Sequence, residues 1–261
     1  LQCADGYLNS WFTSVYPDRR WTNLRDDHEL YCAGHLIEAA VAYQKATGRT
    51  KFVEIMIRYV DLVAEVFGSG IDQRPGYPGH EEIELALVKL FELTGDEKHL
   101  NLARYFIDQR GKQPHYFGIE ADDHNALWGG HEYFQTHIPV RKQNTAIGRA
   151  VRAMYLYAGM TDIWALTGDR GLEQAVRALW YNVCSKQMYL TGSVGAAGFG
   201  EKFTFDYDLP EETSYCETCA AIGLVFWNHR LLNHEGDGRY TDIIERALYN
   251  GVLSGISLQG D

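Results

Sequence analysis

The chain lacks a surplus of positive charge, and it lacks any long apolar run. Its 261 residues carry 24 Lys and Arg against 35 Asp and Glu, a formal net charge of −11. This excludes nucleic acid as a partner, because such binding needs clustered basic side chains that neutralise phosphates. No apolar run reaches the ~20 residues that cross a bilayer, and no basic start followed by an apolar stretch marks a secretory signal. We therefore expect no membrane partner and a cytoplasmic location.

Cysteine is scarce as well. Five cysteines, an odd number, are spread over a chain with 46% hydrophobic residues, which is long enough to bury a substantial core. Disulfide scaffolds are short and dense in cysteine, so we expect reduced thiols here. Because free cysteine usually behaves as a small apolar residue, we expect Cys3, Cys32 and Cys184 to be buried.

A repeated glycine turn organises the chain. Four times a helical pattern runs into a glycine, and an Asp or Thr follows within two residues. Glycine supplies the left-handed conformation that ends a helix, and the Asp or Thr can cap the next helix. Each turn therefore predicts a hairpin of two antiparallel helices. The four glycines are Gly48, Gly95, Gly168 and Gly236.

The spacing of apolar residues predicts an all-α chain. Around the turns, apolar residues recur at i, i+3, i+4, i+7 and i+8, as in residues 83–91 and 172–180. Only residues 188–194 have the pattern of a short strand. The irregular spacing of the hairpins favours a toroid of helix pairs over a regular solenoid. We expect residues 1–261 to be the amino-terminal portion of an incomplete (α/α)6 barrel, with the rest of the barrel outside this chain.

The loop at residues 189–219 contains Cys216 and Cys219 in a C-x-x-C spacing. A structural zinc site would need a second pair of Cys or His, and a thioredoxin-like pair would need a βαβ context; the sequence shows neither. Glu217 and Cys219 could instead supply two metal ligands if the segment is extended or starts a helix, since i and i+2 do not share a helix face. The alternative is a buried cysteine at a helix start.

The same loop holds Glu201 after Gly195, Gly198 and Gly200. The glycines do not match G-x-G-x-x-G, and no βαβ pattern surrounds them, so we expect no phosphate site. A carboxyl on a tight glycine loop can act as a general acid when burial raises its pKa toward the working pH. A solvated surface charge is the alternative.

Two further loops, at residues 77–82 and 126–131, interrupt the helical pattern, and loops on a rigid scaffold often carry function. His80 lies in the first of them. His28 and His35 are two helical turns apart and could share one helix face. Such histidines often serve as core or cap residues, but a sugar pocket also needs these donors and acceptors.

Several runs of the chain together resemble the sequence of a known enzyme family. The most distinctive is Tyr215-Cys216-Glu217-Thr218-Cys219 with the upstream Glu201. As a set, they strongly resemble glycoside hydrolase family 127, whose members include β-L-arabinofuranosidases, and the likeness covers nearly the whole chain. The other runs are residues 5–9, 20–26, 28–39 and 79–87.

The resemblance implies an (α/α)6 catalytic domain, normally followed by β-sandwich modules. It implies removal of terminal L-arabinofuranose with retention, through a cysteine nucleophile on Zn²⁺. By this likeness Glu201 is the general acid/base, and Glu217 and Cys219 are two zinc ligands. His28 and His80 align with histidines that contact the sugar. In this chemistry, zinc holds a sulfur as thiolate while the carboxyl protonates the leaving oxygen.

The chain departs from the family pattern at two points. The family's nucleophilic cysteine and a neighbouring ligand come from a Cys-Cys segment, and no such pair occurs in these 261 residues. We therefore expect this portion alone to be inactive. Arg149 stands where the family usually has a sugar-binding histidine, so Arg149 is a candidate substrate ligand. A guanidinium there could favour a carboxylated sugar.

The leading hypothesis is therefore a zinc-dependent retaining glycosidase that acts on an L-arabinofuranoside or a related furanose. Two alternatives stay open. One is a metal-free toroid glycosidase that uses Glu201 and Glu217 as a carboxylate pair. The other is a non-catalytic, sugar-binding helical protein.

Overall fold

The computed structural model describes residues 2–120 and 129–260, and the chain divides into two compact units, Leu1–Leu127 and Trp128–Asp261. Residues 126–128 of the loop expected at 126–131 lie outside the described part. All regular elements within the described ranges are helical, and no strand occurs among them. The all-α prediction is confirmed.

The first unit contains two long helix hairpins flanked by short helices. The chain enters through a short helix and a 3-10 turn, Pro17–Arg19, before the first hairpin begins. Its helices are α1 (Ser10–Ser14), α2 (Glu29–Thr47), α3 (Lys51–Val66), α4 (Ile83–Thr94), α5 (Glu97–Gln109) and α6 (Tyr116–Glu120).

The second unit repeats this plan with two more hairpins. Single π-helical turns, Val183–Gln187 and Ala247–Val252, extend the outgoing helix of each hairpin, and 3-10 turns occur at Val140–Lys142 and Leu253–Gly255. Its α-helices are α7 (Gly130–Tyr133), α8 (Ala150–Thr167), α9 (Arg170–Asn182), α10 (Thr218–Glu235) and α11 (Gly238–Arg246).

Each hairpin turns at its predicted glycine. The four glycines have φ between 68° and 71°, the left-handed region, and each donates its N–H to the carbonyl four residues earlier. The aspartate side chains that follow three of them, Asp96, Asp169 and Asp237, accept a backbone N–H at the start of the next helix. Thr50 does not, so the prediction of a cap there is wrong; its backbone already has helical angles, φ −95° and ψ −22°.

Within each unit the first helices of the two hairpins pack together, α2 on α4 and α8 on α10. Thirteen residues of α8 are buried, so it forms the centre of the second unit. Close approach there requires glycine, because a Cβ on Gly223 would lie 2.7 Å from Met154 Cβ. No helix in the described ranges combines the length and apolar content needed to span a membrane.

Two sequence expectations need correction. Residues 188–194 do not form a strand; a tight turn at Gly192 (φ 80°) leaves a single antiparallel bridge between Met188 and Val194.

All five cysteines are free, as expected. However, Cys32 is exposed, because it lies on α2 away from the face that packs on α4, and Cys3 and Cys184 are only partly buried.

The contact of α2 with the start of α4 gives a test of the packing. A Cβ on Gly34 would lie 2.8 Å from Ile83 N, so Gly34→Ala must displace backbone. We expect this overpacking to cost about 1–3 kcal/mol, more than the roughly 0.5–1 kcal/mol that alanine gains in a helix. The urea midpoint of the helical circular-dichroism signal should fall. Gly238→Ala, a helical position with open space, is the matched control and should lose nothing. An unchanged midpoint for Gly34→Ala would contradict the close approach.

Candidate functional site

Glu217 and Cys219 lie at the start of α10. Glu217 is the residue before the first helical residue, with extended angles of φ −58° and ψ 139°, and Cys219 is the second residue of the helix. This is one of the two arrangements in which both side chains can reach a common point. One oxygen of the Glu217 carboxylate, Oε2, is buried and accepts no hydrogen bond from the described residues. A buried carboxylate oxygen without a donor is costly unless a cation is close.

Burial governs the protonation of this pair. It raises the pKa of the Cys219 thiol to about 11, and the negative charge of Glu217 adds to the effect. Burial also raises the pKa of Glu217, followed by the charge of Glu201, while Arg149 opposes the shift. At neutral pH the thiol is therefore protonated, unless a cation stabilises the thiolate.

The donors fit half of a zinc site. Zinc in proteins is usually tetrahedral and accepts carboxylate oxygen and thiolate sulfur. Glu217 and Cys219 offer one donor of each kind. Across residues 2–120 and 129–260 there is no group of three or more Cys, His, Asp or Glu arranged to hold a metal. These residues could therefore hold zinc only with two further ligands.

Backbone hydrogen bonds fix the glycine loop between the starts of α8 and α10. Glu201 O accepts from Ala150 N at 3.0 Å, and an antiparallel bridge joins Arg149 to Lys202. On the other side of the loop, Gly195 O accepts from Cys216 N at 3.0 Å. Three segments that are distant in sequence therefore meet at one place.

The Glu201 side chain is held at both carboxylate oxygens. Oε2 forms an ion pair with Arg149 Nη2, and Oε1 accepts from Tyr215 Oη at 3.3 Å. A second guanidinium nitrogen of Arg149, Nη1, donates to Tyr133 Oη at 3.5 Å. Glu201 is 27% exposed, so it is neither a solvated surface charge nor fully buried.

Four of the six predicted site residues therefore belong to one cluster in the second unit. Glu201 and Arg149 touch each other, and both interact electrostatically with Glu217, which adjoins Cys219. The juxtaposition expected of residues 201, 217 and 219 is present.

Tyr215 and Tyr133 are members of this cluster that sequence reasoning missed. Tyr215 stands in the distinctive run before α10, two residues from Glu217, and this placement was a usable signal. The negative charges of Glu201 and Glu217 raise its pKa. Tyr133 lies on the short helix α7, and no sequence pattern marked it.

A small cavity lies beside Tyr133, the one residue of the cluster that lines it. It has a volume of about 290 Å³, and Tyr133, Gly148, Lys202 and Phe205 are among the residues that line it. This volume is near the lower end of the range for small-molecule sites. Aromatic rings beside charged side chains suit a sugar, which has both apolar faces and hydroxyl groups.

The two remaining predicted residues, His28 and His80, lie together in the first unit. Their ring centroids are 5.9 Å apart, and Tyr31 packs against both, at 5.6 Å from His28 and 4.3 Å from His80. His35 also packs on Tyr31, at 4.4 Å. His28 precedes α2 in a left-handed conformation (φ 57°), so the two histidines meet at the Tyr31 ring and do not share the predicted helix face. Burial lowers the pKa of His35, whose Nδ1 lies 3.2 Å from a carboxylate oxygen of Glu82.

His80 is held by the loop that carries it. Its Nδ1 lies 2.9 Å from Glu81 O, and because a carbonyl oxygen only accepts, Nδ1 donates this hydrogen bond. The fully buried Arg110 pairs with Glu81 at 3.0 Å and donates to Pro78 O at 2.7 Å. A Cβ on Gly79 would lie 1.9 Å from Arg25 O, so only glycine permits this loop.

The chain matches known proteins along its length. The profile described as β-L-arabinofuranosidase, GH127 catalytic domain, matches residues 1–261. The non-reducing end β-L-arabinofuranosidase of Bifidobacterium longum subsp. longum is 40% identical over 270 residues, which cover 99% of this chain and 41% of that protein.

Solved structures show the same likeness. A GH127 β-L-arabinofuranosidase from Geobacillus stearothermophilus T6 is 56% identical with a TM-score of 0.97, over 100% of this chain and 42% of that one. A second GH127 β-arabinofuranosidase is 43% identical with a TM-score of 0.88, over 99% of this chain and 40% of that one. The chain thus spans about two fifths of the length of these relatives.

These likenesses confirm the predicted fold class, because the chain shares the all-α fold of its GH127 neighbours. That further helices complete the barrel and that β-sandwich modules follow stay predictions. By profile, sequence and fold, the chain belongs to the GH127 β-L-arabinofuranosidase family and to its catalytic domain.

Proposed function

We propose that this chain is the amino-terminal part of a retaining glycosidase that removes terminal L-arabinofuranose, or a related furanose, from glycoconjugates or plant polysaccharides. One observation carries the proposal. A partly exposed carboxyl, Glu201, stands in the same cluster as a carboxylate and a thiol, Glu217 and Cys219. Family membership supports the substrate class, since the related proteins are named for this activity.

In the proposed reaction Glu201 moves protons. In the first step it gives its proton to the glycosidic oxygen as the bond from that oxygen to the anomeric carbon breaks, and a cysteine sulfur outside these 261 residues bonds to that carbon. In the second step the Glu201 carboxylate takes a proton from water, whose oxygen replaces the sulfur. Two displacements at one carbon give net retention.

Zinc is the proposed cofactor, with Glu217 and Cys219 as two of its ligands. When bound, the ion would stabilise sulfur as thiolate at neutral pH. The buried Glu217 Oε2, which accepts no hydrogen bond from the described residues, supports a cation here because a positive charge would stabilise it. His28 and His80 are proposed sugar contacts, because the family likeness aligns them with sugar-contacting histidines and their rings lie together in the first unit.

Replacing Glu201 tests its proposed role. In the full-length gene product, Glu201→Gln should lower hydrolysis of an unactivated arabinofuranoside about 10²- to 10⁴-fold, because glutamine neither gives nor takes the proton. Steady-state kinetics provide the measurement. Glu212→Gln, at an exposed position of the same loop, is the control and should be unchanged. Wild-type turnover by Glu201→Gln would end this assignment.

Chelation separates the metal-dependent proposal from the alternative carboxylate pair. That alternative keeps one observation in its favour, since the Glu201 charge raises the pKa of Glu217, as paired carboxylates do to each other. We expect dialysis of the full-length product against a strong chelator to abolish hydrolysis and added Zn²⁺ to restore it. Undiminished turnover by protein shown to be free of metal would favour the metal-free mechanism.

The protonation of Cys219 gives a test that needs no activity. In the chelated chain, alkylation by iodoacetamide should accelerate about tenfold per pH unit from about pH 7 to about pH 10 without a plateau, because only the thiolate reacts and its pKa is about 11. Glu217→Gln removes a negative neighbour, so the pKa should fall and the rate at a fixed pH should rise.

Cys216 is the matched control for this measurement. Its pKa is also raised to about 11, but by burial alone, so Glu217→Gln should leave its alkylation rate unchanged. Mass spectrometry of the two modified peptides separates the rates. Equal changes at both cysteines would indicate general loosening of the segment instead of a direct effect of Glu217.

A further inference from the structure

Both oxygens of the Glu201 carboxylate are occupied by side chains of the same unit. Arg149 Nη2 pairs with Oε2, and Tyr215 Oη donates to Oε1 at 3.3 Å. Arg149 is itself braced, because its Nη1 donates to Tyr133 Oη at 3.5 Å and Tyr133 is buried. A carboxylate bound at both oxygens has little freedom to rotate, so its direction is set before any substrate arrives.

The backbone fixes the origins of these side chains. Arg149 is bridged to Lys202, the neighbour of Glu201. Tyr215 N donates to Ala196 O at 3.2 Å, which ties the tyrosine to the same glycine loop. Glu201 has a φ of 51°, a left-handed conformation that a glutamate adopts only when its surroundings hold it there. We call Arg149 and Tyr215, with the Glu201 carboxylate between them, the clamp. These backbone hydrogen bonds tie its three segments together, so the segments do not shift independently.

We propose that Arg149 and Tyr215 are positioning residues for Glu201, and that Arg149 acts through this carboxylate instead of as a ligand of the sugar. The inference rests on the proposed function, in which Glu201 exchanges protons with the leaving oxygen and with water. Arg149 occupies Oε2 with a charged partner, which leaves Oε1 as the oxygen that exchanges the proton.

Tyr215 is chemically suited to hydrogen-bond Oε1, the Glu201 oxygen that exchanges the proton. Its hydroxyl donates to Oε1 when the carboxyl is ionised and can accept from it when the carboxyl is protonated, because a phenol has both capacities. The same ring can therefore hold Glu201 in both steps of the reaction. Tyr215 is 46% exposed, so substrate and water can reach this side of the carboxyl.

Three variants of the full-length gene product test the clamp. Arg149→Gln should lower kcat about 10- to 100-fold, and Tyr215→Phe on the order of 10-fold, since each removes a hydrogen bond to a charged group. KM should change less than about threefold, because no contact to the sugar is lost. Arg149→Lys keeps the positive charge but loses the planar guanidinium and its several N–H donors. Its kcat should therefore lie between those of wild type and Arg149→Gln.

Tyr207→Phe is the matched control. Tyr207 is an exposed tyrosine of the same loop, 70% exposed, and loss of its hydroxyl should leave kcat and KM unchanged. A rise in KM with kcat unchanged for Arg149→Gln would overturn the proposal and make Arg149 a sugar ligand. Equal loss in Tyr215→Phe and Tyr207→Phe would also overturn it.

Crystal structures of the variants test, without any activity measurement, whether the clamp holds the Glu201 carboxylate in place. We expect the Glu201 carboxylate to leave its wild-type position in Arg149→Gln and to rotate about its terminal torsion in Tyr215→Phe. An unmoved carboxylate in both variants would overturn the clamp. If the wild-type protein hydrolyses no furanoside at all, the proposed function fails, and the position of this side chain still decides the clamp.

Discussion

The candidate site depends on the backbone hydrogen bonds that close the glycine loop onto the starts of α8 and α10. These bonds bring Glu201 beside Arg149 on one side and place Gly195 against Cys216 on the other. Gly195 has a φ of 90°, and a Cβ there would lie 2.9 Å from Ala150 Cβ, so the closed loop requires glycine at this position. The chemistry of the site follows from this closure, because the functional side chains come from segments that are far apart in sequence.

The charges of the cluster do not balance within the second unit. One guanidinium, that of Arg149, faces the carboxylates of Glu201 and Glu217, and it forms its ion pair with Glu201. Glu217 keeps a buried oxygen without a donor beside a thiol whose pKa is raised. The unpartnered Glu217 oxygen is the observation in the described residues that favours the proposed zinc ion. Burial alone raises the pKa of Cys216 to the same value, so the raised pKa of Cys219 does not point to a metal.

The helical framework could be predicted from the sequence because its rules act over a few residues. Left-handed glycine and apolar periodicity located all four hairpins, and all three predicted aspartate caps formed. The errors arose where contacts between distant residues decide the outcome. The turn at 188–194 follows from Gly192, whose Cβ would lie 2.7 Å from Ala247 N, and Cys32 is exposed because α4 covers the opposite face of α2.

The candidate site was predictable as a set of residues but not as a geometry. The motif named Glu201, Glu217 and Cys219, and the structure brings them together. Sequence spacing gave no sign that Arg149 would pair with Glu201, or that Tyr215 would hold the other oxygen, because these contacts span loops whose path depends on the whole unit.

Anomalous X-ray scattering at the zinc edge, from crystals of the full-length gene product, tests the central claim most directly. The account predicts a single strong peak within about 2.0–2.3 Å of a Glu217 oxygen and the Cys219 sulfur, with the Glu201 carboxylate directed toward the same space as these two ligands. Zinc bound elsewhere, or a Glu201 carboxylate turned away from these ligands, would contradict it.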